Sequence, residues 1–586
     1  MSTLYPLIMG RQVIVSTEHY LSAAAGARIF DRGGNAIDAA VAAALVEGVV
    51  NPHMHTMGGE APMLIRVGST QRLVSVNGNT MAPRGATIAH YRTLGLDLVP
   101  GEGLLAAGVP AAFGAFACAL ENFGTKSLAE VADPALELCE DGFPMHPGLC
   151  GDGVSIDIPA LGQSSVRANA DTYRTRWPST ARVYMPGGEL PSSGDTIRNP
   201  ALAHVFRRLL DAEAGARNSG REAGLRAAVD RFYRGDIARE IVAHSDAHGG
   251  LLALDDLAAF TTRIEEPTSR GYRGATVFKC GPWSQGPVFL QQLALLEGFD
   301  LAAMGHNSTA YLHTLIEVAK LAFADREAYY ADPEFADVPL KELLSERYSA
   351  LRSALIDPQR ASMEQRPGDP RAMRAELGAP SGARSWGGGT THVDAADRGG
   401  NVIAITPSGA WLRSSPVADA LGFPLGSRLQ TFYLDERHPN ALAPLKRPRT
   451  TLTPSLAVTR DGRWMAFGTQ GGDQQDQWTL QFFLNVVDFG MDLQEAIEAP
   501  RYSCMHAPSS FFPHDAALGL VRVENRIGER VLAELATMGH KIETRPAWCD
   551  GNVLAVALDD RGGRLAAGAD PRGQIAGLMP AQAIGW

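Results

Sequence analysis

Apolar residues at helical spacing dominate long segments of the first 355 residues. The segment 36–50, AIDAAVAAALVEGVV, follows Asn35 and consists mostly of alanine and branched apolar residues. A polar cap before an apolar segment of this length predicts a buried helix. The segment 309–335 also has apolar residues at helical spacing and reaches Pro333. We predict further helices within residues 17–35, 105–140 and 200–308.

Short segments in which apolar and polar residues alternate predict paired strands. Residues 61–83 predict a hairpin around Gly68, and residues 391–409 predict a second hairpin across 397–400. The same pattern recurs in residues 455–469 and 552–570. Helices are predicted at 476–498 and 522–538. This order of elements predicts an α+β protein in which helices cover sheets.

Composition narrows the classes of protein to consider. The chain has 586 residues, of which 45% are apolar and 20% charged, which is typical of a globular protein with a large core. A net charge of −11 argues against a general nucleic-acid surface. The six cysteines are dispersed and form no CxxC pair, so we expect free thiols.

The chain also lacks the patterns of export and membrane insertion. The first 26 residues show no secretory pattern. The longest apolar run is interrupted by Asp38 and Glu47 and is too short to span a bilayer. We therefore expect a cytoplasmic protein that binds neither membranes nor nucleic acid.

The segment 385–409, SWGGGTTHVDAADRGGNVIAITPSG, places three glycines directly before Thr390. A threonine hydroxyl is a weak nucleophile at neutral pH and needs an adjacent base. An α-amino group, with a reference pKa of about 7.7–8.0, would be that base if the chain were cut between Gly389 and Thr390. The same residues also fit a glycine-rich loop that leads into a strand, and the local sequence leaves both interpretations open.

Other common catalytic signatures are absent from the sequence. The chain has no Walker A motif, no HExxH and no GxSxG elbow. His53 and His55 lie two residues apart, but no further metal ligands cluster beside them in sequence. We therefore expect neither a metal nor a cofactor.

The wider sequence resembles the gamma-glutamyltransferase (gamma-glutamyltranspeptidase) family of N-terminal nucleophile hydrolases over nearly the whole chain. The resemblance begins with STEHYLSAAAGARIFDRGGNAIDAAVAAALVEGVVNPH and continues through AAGVPAAFGAF, GGGTTHVDAADRGGNVIAIT, KRPRTTLTPSLAV, TQGGDQQDQW and EAIEAPRY. It implies a four-layer αββα sandwich. It also implies a precursor that cuts itself before Thr390 into a large chain 1–389 and a small chain 390–586, which stay together.

The resemblance assigns roles to four residues. Thr390 matches the nucleophile, whose own amine accepts the hydroxyl proton and returns it to the leaving group. Gly471 and Gly472 match a glycine pair whose backbone amides form an oxyanion hole, and they also fit an ordinary strand-to-helix turn. Ser408 matches a hydroxyl residue that supports the nucleophile's amine, and an ordinary loop serine is an equally good interpretation.

The expected contacts to a glutamyl group do not match the family pattern. Asn79 replaces the arginine that holds the glutamyl α-carboxylate, Tyr433 replaces an aspartate, and Ala410 replaces an asparagine. Thr450 and Thr451 replace paired serines and keep their hydroxyls. Arg84, Arg413 and Arg449 are alternative carboxylate contacts, although a solvated surface arginine is the better interpretation of each one. The candidate substrate-binding residues are Asn79, Gln430, Tyr433, Thr450 and Thr451.

These observations predict a self-processing amidase with an altered acyl-donor pocket. Its substrate would be a small acyl amide, and water or an amine would accept the acyl group. The resemblance leaves oxamate-like amides and dicarboxylic acyl amides open as donors. Two alternatives remain: a true gamma-glutamyl hydrolase or transpeptidase, and an unprocessed homologue that only binds ligands.

Overall fold

The structure is a computed structural model of the continuous chain, and it describes residues 3–152, 164–376, 389–559, 561–575 and 580–586. The strands of these ranges are β1 (Ile8–Gly10), β2 (Val13–Thr17), β3 (Met63–Val67), β4 (Arg72–Asn77), β5 (Phe143–Pro144), β6 (Thr196–Ile197), β7 (Arg263–Glu265), β8 (Thr268–Tyr272), β9 (Ala275–Lys279), β10 (Val393–Asp397), β11 (Val402–Ile405), β12 (Ser455–Val458), β13 (Arg463–Gly468), β14 (Tyr502–Cys504), β15 (Leu520–Glu524), β16 (Lys541–Arg545), β17 (Leu554–Asp559), β18 (Arg564–Gly568) and β19 (Gln582–Gly585).

The α-helices of the described ranges come mostly from the part of the chain before residue 355. They are Tyr20–Asp31, Ala36–Val50, Ile88–Thr93, Ala112–Phe123, Leu128–Glu140, Pro147–Cys150, Ala170–Thr175, Pro178–Tyr184, Pro200–Ala216, Arg221–Tyr233, Asp236–Ala247, Leu254–Ala259, Gly286–Leu296, Leu301–Met304, Thr309–Tyr329, Leu340–Leu343, Glu346–Ser353, Gln475–Val487, Leu493–Glu498, Glu529–Thr537 and Arg572–Ile575.

Two seven-stranded sheets form the centre of the described structure. The β10 sheet has the order β19-β2-β10-β11-β3-β4-β7, and the β13 sheet has the order β1-β18-β17-β13-β12-β9-β8. Neighbouring strands within each sheet are antiparallel. One hydrophobic core contains Ile14 and Ala404 from the β10 sheet together with Leu456 and Val556 from the β13 sheet. The two sheets therefore pack face to face.

Helices cover the outer face of each sheet. On the outside of the β10 sheet, Val15 and Ile403 share a core with residues of the helix Ala36–Val50. This helix is buried along its whole length, which explains why its sequence shows no polar face. On the outside of the β13 sheet, Val277 and Met465 pack with the helices Thr309–Tyr329 and Gln475–Val487. The layers run helix, sheet, sheet, helix, and this confirms the predicted αββα sandwich.

The strand predictions are confirmed by four antiparallel hairpins. They join β3 with β4, β10 with β11, β12 with β13, and β17 with β18. The helix predicted over 522–538 is wrong in its first part, because residues 520–524 form β15 and the helix is Glu529–Thr537. The helix predicted over 476–498 is divided into Gln475–Val487 and Leu493–Glu498. In the described ranges, no helix is both long and apolar enough to cross a bilayer.

Candidate active site

Thr390 lies three residues before β10. It is opposite the segment that follows β11, the second strand of the same hairpin. It forms an antiparallel bridge with Ser408, and its neighbour Thr391 donates its backbone N–H to the Pro407 carbonyl at 3.0 Å. Thr390 is 2% exposed and Ser408 is fully buried. The hairpin therefore holds two hydroxyl side chains side by side in a site that excludes bulk water.

The hydrogen bonds around the Ser408 hydroxyl fix the direction of its proton. Its oxygen lies 2.7 Å from the Gly389 carbonyl, 2.9 Å from Arg428 Nη2 and 3.1 Å from Thr390 Oγ1. A carbonyl only accepts and a guanidinium only donates. Ser408 must therefore give its single proton to Gly389 and accept from Arg428. Thr390 is then the donor in its own bond to Ser408.

The Gly389 carbonyl accepts a second hydrogen bond, from the indole Nε1–H of Trp411. The backbone of Gly389 is closely enclosed, because a Cβ at this position would lie 2.8 Å from the His53 carbonyl oxygen. The peptide carbonyl directly before Thr390 is thus held by two donors in a site too tight for any larger residue. The other two glycines of the run, Gly387 and Gly388, lie outside the described residues.

Arg428 is a site residue that the sequence reasoning missed. Its Nε–H donates to Glu60 Oε2 at 2.8 Å, and both side chains are buried. The guanidinium carbon lies 5.2 Å and 5.4 Å from the ring centroids of Trp411 and Phe511. Burial raises the pKa of Glu60, although the charge of Arg428 opposes that effect. Within the described ranges, no hydrogen-bond acceptor faces Arg428 Nη1.

Gly471 and Gly472 occupy the turn between β13 and the helix Gln475–Val487. Both have positive φ values, 118° and 59°. A Cβ on Gly471 would come within 2.2 Å of the Trp478 ring, so only glycine fits there. Within the described residues, neither backbone N–H of this pair donates to a protein acceptor. A turn with two unused N–H groups before a helix is suited to bind an anion.

Two contacts bring this glycine turn toward Thr390. At the end of β13, a Cβ on Gly468 would overlap the ring of His392, and His392 is two residues after Thr390. A Cβ on Gly472 would lie 3.0 Å from the Phe511 ring, and Phe511 packs against Trp411 with ring centroids 6.0 Å apart. The candidate nucleophile and the candidate oxyanion hole therefore lie at the same edge of the two packed sheets.

Three of the predicted substrate-binding residues are buried. Asn79 donates from Nδ2 to the Pro448 carbonyl at 2.6 Å, while its Oδ1 has no partner among the described residues. Thr450 is fully buried, and its backbone pairs with Trp283. Thr451 Oγ1 is buried and also lacks a partner in the described ranges. Asn79 and Thr451 thus keep one polar atom each that a ligand or water would satisfy.

The other two predicted residues differ in their surroundings. Gln430 Nε2 donates to the Ser427 carbonyl at 2.9 Å and to the Gly101 carbonyl at 3.1 Å, so its amide braces a turn. The Tyr433 hydroxyl donates to Glu327 Oε2 at 3.0 Å. Its ring stacks between His438 and His514, at centroid distances of 3.7 and 4.2 Å. Tyr433 therefore joins a network of charged groups.

Arg326 and Arg449 hold the Glu327 carboxylate in this network. Arg449 Nη2 lies 2.7 Å from Glu327 Oε1, and Arg326 Nη2 lies 2.8 Å from the same oxygen. Burial alone would raise the pKa of Glu327, but the two arginines lower it to about 2. Arg449 is 1% exposed, so its interpretation as a surface arginine is wrong. Arg326 also pairs with Asp473, directly after the glycine turn.

The remaining candidate arginines lie apart from this network. Arg84 has a side chain that is half exposed and pairs with Asp256 at 3.1 Å. Arg413 places its guanidinium carbon 5.7 Å from the centre of the Trp411 ring. Burial lowers the pKa of Arg413. Arg413 therefore lies beside the indole whose N–H contacts Gly389.

Histidine clusters offer little support for a metal site. His55 Nδ1 lies 3.4 Å from the Ser408 carbonyl, and burial lowers the pKa of His55 to about 4. His313, Glu317 and His540 have ligand atoms within 4.8 Å of one another. However, Glu317 already pairs with Lys320 at 2.6 Å and with Arg366 at 3.1 Å. Two cations at this carboxylate oppose the binding of a third.

Comparisons with known proteins identify the family of the chain. The profile of the family described as Gamma-glutamyltranspeptidase matches residues 22–579. The chain is 32% identical to the "Glutathione hydrolase-like YwrD proenzyme" of Bacillus subtilis (strain 168), over 97% of this chain and 99% of the relative.

Two solved structures match this fold over its whole length. The structure of LmbA2991HD is 43% identical, with a TM-score of 0.90 and full coverage of both chains. The cephalosporin acylase from Bacillus halodurans is 28% identical, with a TM-score of 0.82 over 100% of this chain and 98% of the acylase. The family match, the sequence identities and the shared fold each extend over nearly the whole chain. The protein is therefore an enzyme of the gamma-glutamyltranspeptidase family, within the N-terminal nucleophile hydrolases.

Proposed function

We propose that this protein is a self-processing amidohydrolase in which Thr390 is the nucleophile. The observation that carries the proposal is the contact of Thr390 and Gly389 with one shared hydroxyl, that of Ser408. This arrangement brings the nucleophile and the peptide carbonyl before it to the same hydroxyl, which accepts from Thr390 and donates to Gly389. Cleavage there would give a large chain 1–389 and a small chain 390–586. The proenzyme name of the Bacillus subtilis relative supports such processing.

After cleavage, the new α-amino group of Thr390 would be the general base. Its reference pKa of about 7.7–8.0 suits proton exchange near neutral pH. The Thr390 oxygen would attack the substrate amide carbon, and the N–H groups of Gly471 and Gly472 would bind the oxygen that becomes negative. The proton would pass through the amine to the leaving nitrogen, and water or an amine would then release the acyl group.

We propose that the acyl donor is not an ordinary gamma-glutamyl group. Such a group carries an ammonium and a carboxylate that both need partners in a buried site. The glutamyl-binding arginine is replaced by Asn79, whose amide already bonds to Pro448. The nearby carboxylates are occupied, since Glu60 pairs with Arg428 and Glu327 pairs with two arginines. Neither of these two carboxylates is left unpaired for the ammonium of an acyl group.

Arg428 offers the opposite chemistry, a donor for an oxygen of the acyl group. Its Nη1 has no acceptor in the described ranges, and its guanidinium carbon lies within 5.4 Å of the ring centroids of Trp411 and Phe511. The distances from Arg428 Nη2 to Ser408 and from Ser408 to Thr390 are 2.9 and 3.1 Å. A donor this close to the nucleophile fits a short acyl group with a second oxygen near the amide. Oxamoyl and short dicarboxylic acyl amides have this property.

The first experiment tests processing and the nucleophile together. Purified protein is resolved on a denaturing gel, and the mass of each band is measured. We expect two chains, with the smaller beginning at Thr390, and a single uncut chain for Thr390→Ala. Thr391→Ala is the matched control, because the Thr391 hydroxyl is buried without a partner in the described ranges. A wild-type chain that stays uncut, as Thr390→Ala does, would favour the non-catalytic alternative.

The second experiment compares amide donors. Gamma-glutamyl, oxamoyl, glutaryl and succinyl p-nitroanilides are offered to the processed enzyme under identical conditions, with Thr390→Ala as the blank. We expect a short dicarboxylic or oxamoyl donor to have the highest kcat/KM. Preferred turnover of the gamma-glutamyl amide would refute the altered pocket and support a true gamma-glutamyl hydrolase or transpeptidase.

A further inference from the structure

The carbonyl that must be attacked during self-cleavage has its own pair of donors. Gly389 O accepts the Ser408 hydroxyl at 2.7 Å and the Trp411 indole N–H. Both donors are side chains from the loop that follows β11. The glycine turn proposed for substrate turnover contributes neither of them.

We propose that Trp411 and Ser408 form an oxyanion-binding site for self-cleavage at Gly389, distinct from the Gly471–Gly472 amides; this inference rests on the self-processing proposed above. Donors aimed at the oxygen on which charge develops stabilise the transition state most when water is excluded. Gly389, Ser408 and Trp411 are all buried. The site therefore has the two properties that this form of catalysis needs.

The proton arrangement supplies a complete path for the rearrangement. The Thr390 oxygen attacks the Gly389 carbonyl carbon, and its proton passes to Ser408. Negative charge develops on the carbonyl oxygen during the attack, where Trp411 and Ser408 stabilise it, until the Ser408 proton passes to that oxygen. Collapse of this intermediate breaks the C–N bond and delivers that proton to the Thr390 nitrogen. The products are an ester between Gly389 and the Thr390 oxygen, and a free amine. Water then hydrolyses the ester to the Gly389 carboxylate and the Thr390 hydroxyl.

Arg428 is a positioning residue in this reaction. It donates to the Ser408 oxygen at 2.9 Å, which leaves the Ser408 proton for Gly389. The cation also makes the hydroxyl a stronger hydrogen-bond donor. Glu60 holds the guanidinium from its Nε side at 2.8 Å. Without Arg428, the Ser408 hydroxyl would be free to rotate away from the carbonyl.

The test measures the rate at which newly translated full-length chain is converted into two chains on a denaturing gel. We expect Trp411→Phe to slow conversion about 10²-fold, the order of loss found when one oxyanion donor is removed. Trp283→Phe is the matched control, because it also removes a buried indole bond, to Glu265 at 2.7 Å. An unchanged rate for Trp411→Phe overturns the inference, whereas an uncut wild-type chain overturns the proposed function itself.

A second variant covers the case in which Trp411→Phe does not fold. Incorporation of β-(3-benzothienyl)alanine at position 411 keeps the shape of the indole but replaces its N–H by sulfur. We expect the same slow conversion, and conversion at the wild-type rate would overturn the inference.

The role of Arg428 is tested by a double-mutant cycle with Ser408. Arg428→Lys should slow conversion at least 10-fold in the wild-type background and have no further effect in Ser408→Ala. Equal slowing in both backgrounds would show that Arg428 acts on the fold and not through the hydroxyl.

Discussion

Two buried arginine–carboxylate networks adjoin the candidate site, one at Ser408 and one at the glycine turn, and they differ in how completely the arginine is bonded. Arg326 uses all three guanidinium nitrogens, on Glu327, Asp473, Gln285 and the Pro508 carbonyl. Arg428 bonds Glu60 and Ser408, and its Nη1 has no acceptor in the described ranges. Both are fully buried, so burial alone does not separate their roles.

The difference indicates which arginine stabilises the fold and which contributes to chemistry. A guanidinium with every N–H satisfied has no capacity left for a ligand and fixes the elements it joins. A buried donor left without a protein partner carries a free-energy cost, which a substrate oxygen or water would offset. We infer that the Arg326 network positions the glycine turn, while the Arg428 pair acts on the reacting groups.

The largest expected effect comes from removing the Arg428 pair as a whole. In Glu60→Leu with Arg428→Met, self-cleavage and amide turnover should each fall about 10³-fold, since Ser408 loses its fixed orientation. Stability should change by less than about 2 kcal/mol, because replacing both members of a buried ion pair by apolar residues is close to neutral. Cleavage rate, turnover of the processed fraction and urea unfolding measure these outcomes.

A distant ion pair is the matched control for that double variant. Arg208 Nη2 lies 2.8 Å from Glu240 Oε2, between the helices Pro200–Ala216 and Asp236–Ala247. Arg208→Met with Glu240→Leu should leave the cleavage rate unchanged. If the Arg428 pair were dispensable, its double variant would cleave as this control does.

The Arg326 network should respond in the opposite way. Arg326→Met leaves Glu327 and Asp473 without this cation, and breaking a buried pair on one side costs about 3–5 kcal/mol. Urea unfolding should show this loss of stability. We expect the loss to be larger than any direct effect of the substitution on the reaction. A variant with wild-type stability but no activity would reverse the roles assigned to the two arginines.

The fold could be predicted largely from local pattern and family resemblance. Period-two alternation identified the hairpin β10–β11, and the alanine-rich segment identified the buried helix Ala36–Val50. The helix prediction over 522–538 was wrong because β15 is short and pairs with residues 502–504 and 541–545. Such pairing depends on tertiary partners, which outweigh local propensity.

The site was less predictable than the fold. Ser408 lies 18 residues from Thr390, so the hairpin alone indicates that they meet. Arg428 lies 368 residues from its partner Glu60, and no local pattern links them. The sequence signal of Arg428 is weak. Arg428 begins the segment RLQTFYLDE, and within that segment the sequence indicates Gln430 and Tyr433 as candidates instead. A buried arginine looks the same as an exposed one in sequence.

The pH dependence of stability should also separate the two networks. The folded protein holds the pKa of Glu327 at about 2, below its usual value of 4.5. The unfolded chain therefore binds a proton first as the pH falls, and the stabilisation, about 3 kcal/mol, is present above pH 4.5 and lost toward pH 2. In Glu327→Gln, the free energy of unfolding should lack this acid-dependent loss when measured by urea titration.

Glu60 is the comparison for this measurement, because burial raises its pKa. When the folded protein raises the pKa of a carboxyl group, the contribution of that group to stability falls as the pH rises from its unfolded pKa toward its folded pKa. Glu60→Gln should therefore alter the pH profile with the opposite slope to Glu327→Gln. Two variants with parallel profiles would contradict the contrast between the networks.

Of the substituted arginines, Arg84 is expected to have the smallest effect on stability and turnover. Its side chain is half exposed and pairs with Asp256 at 3.1 Å. Exposed ion pairs contribute less than about 1 kcal/mol, so Arg84→Ala should change stability by no more than that and leave turnover unchanged. Asp256→Ala should cost about 1–2 kcal/mol, because Asp256 also accepts the Ala253 and Arg84 backbone N–H groups at 3.0 Å. Loss of turnover in Arg84→Ala, at unchanged stability, would instead place Arg84 in the substrate pocket and remove the reason for assigning that role to Arg428.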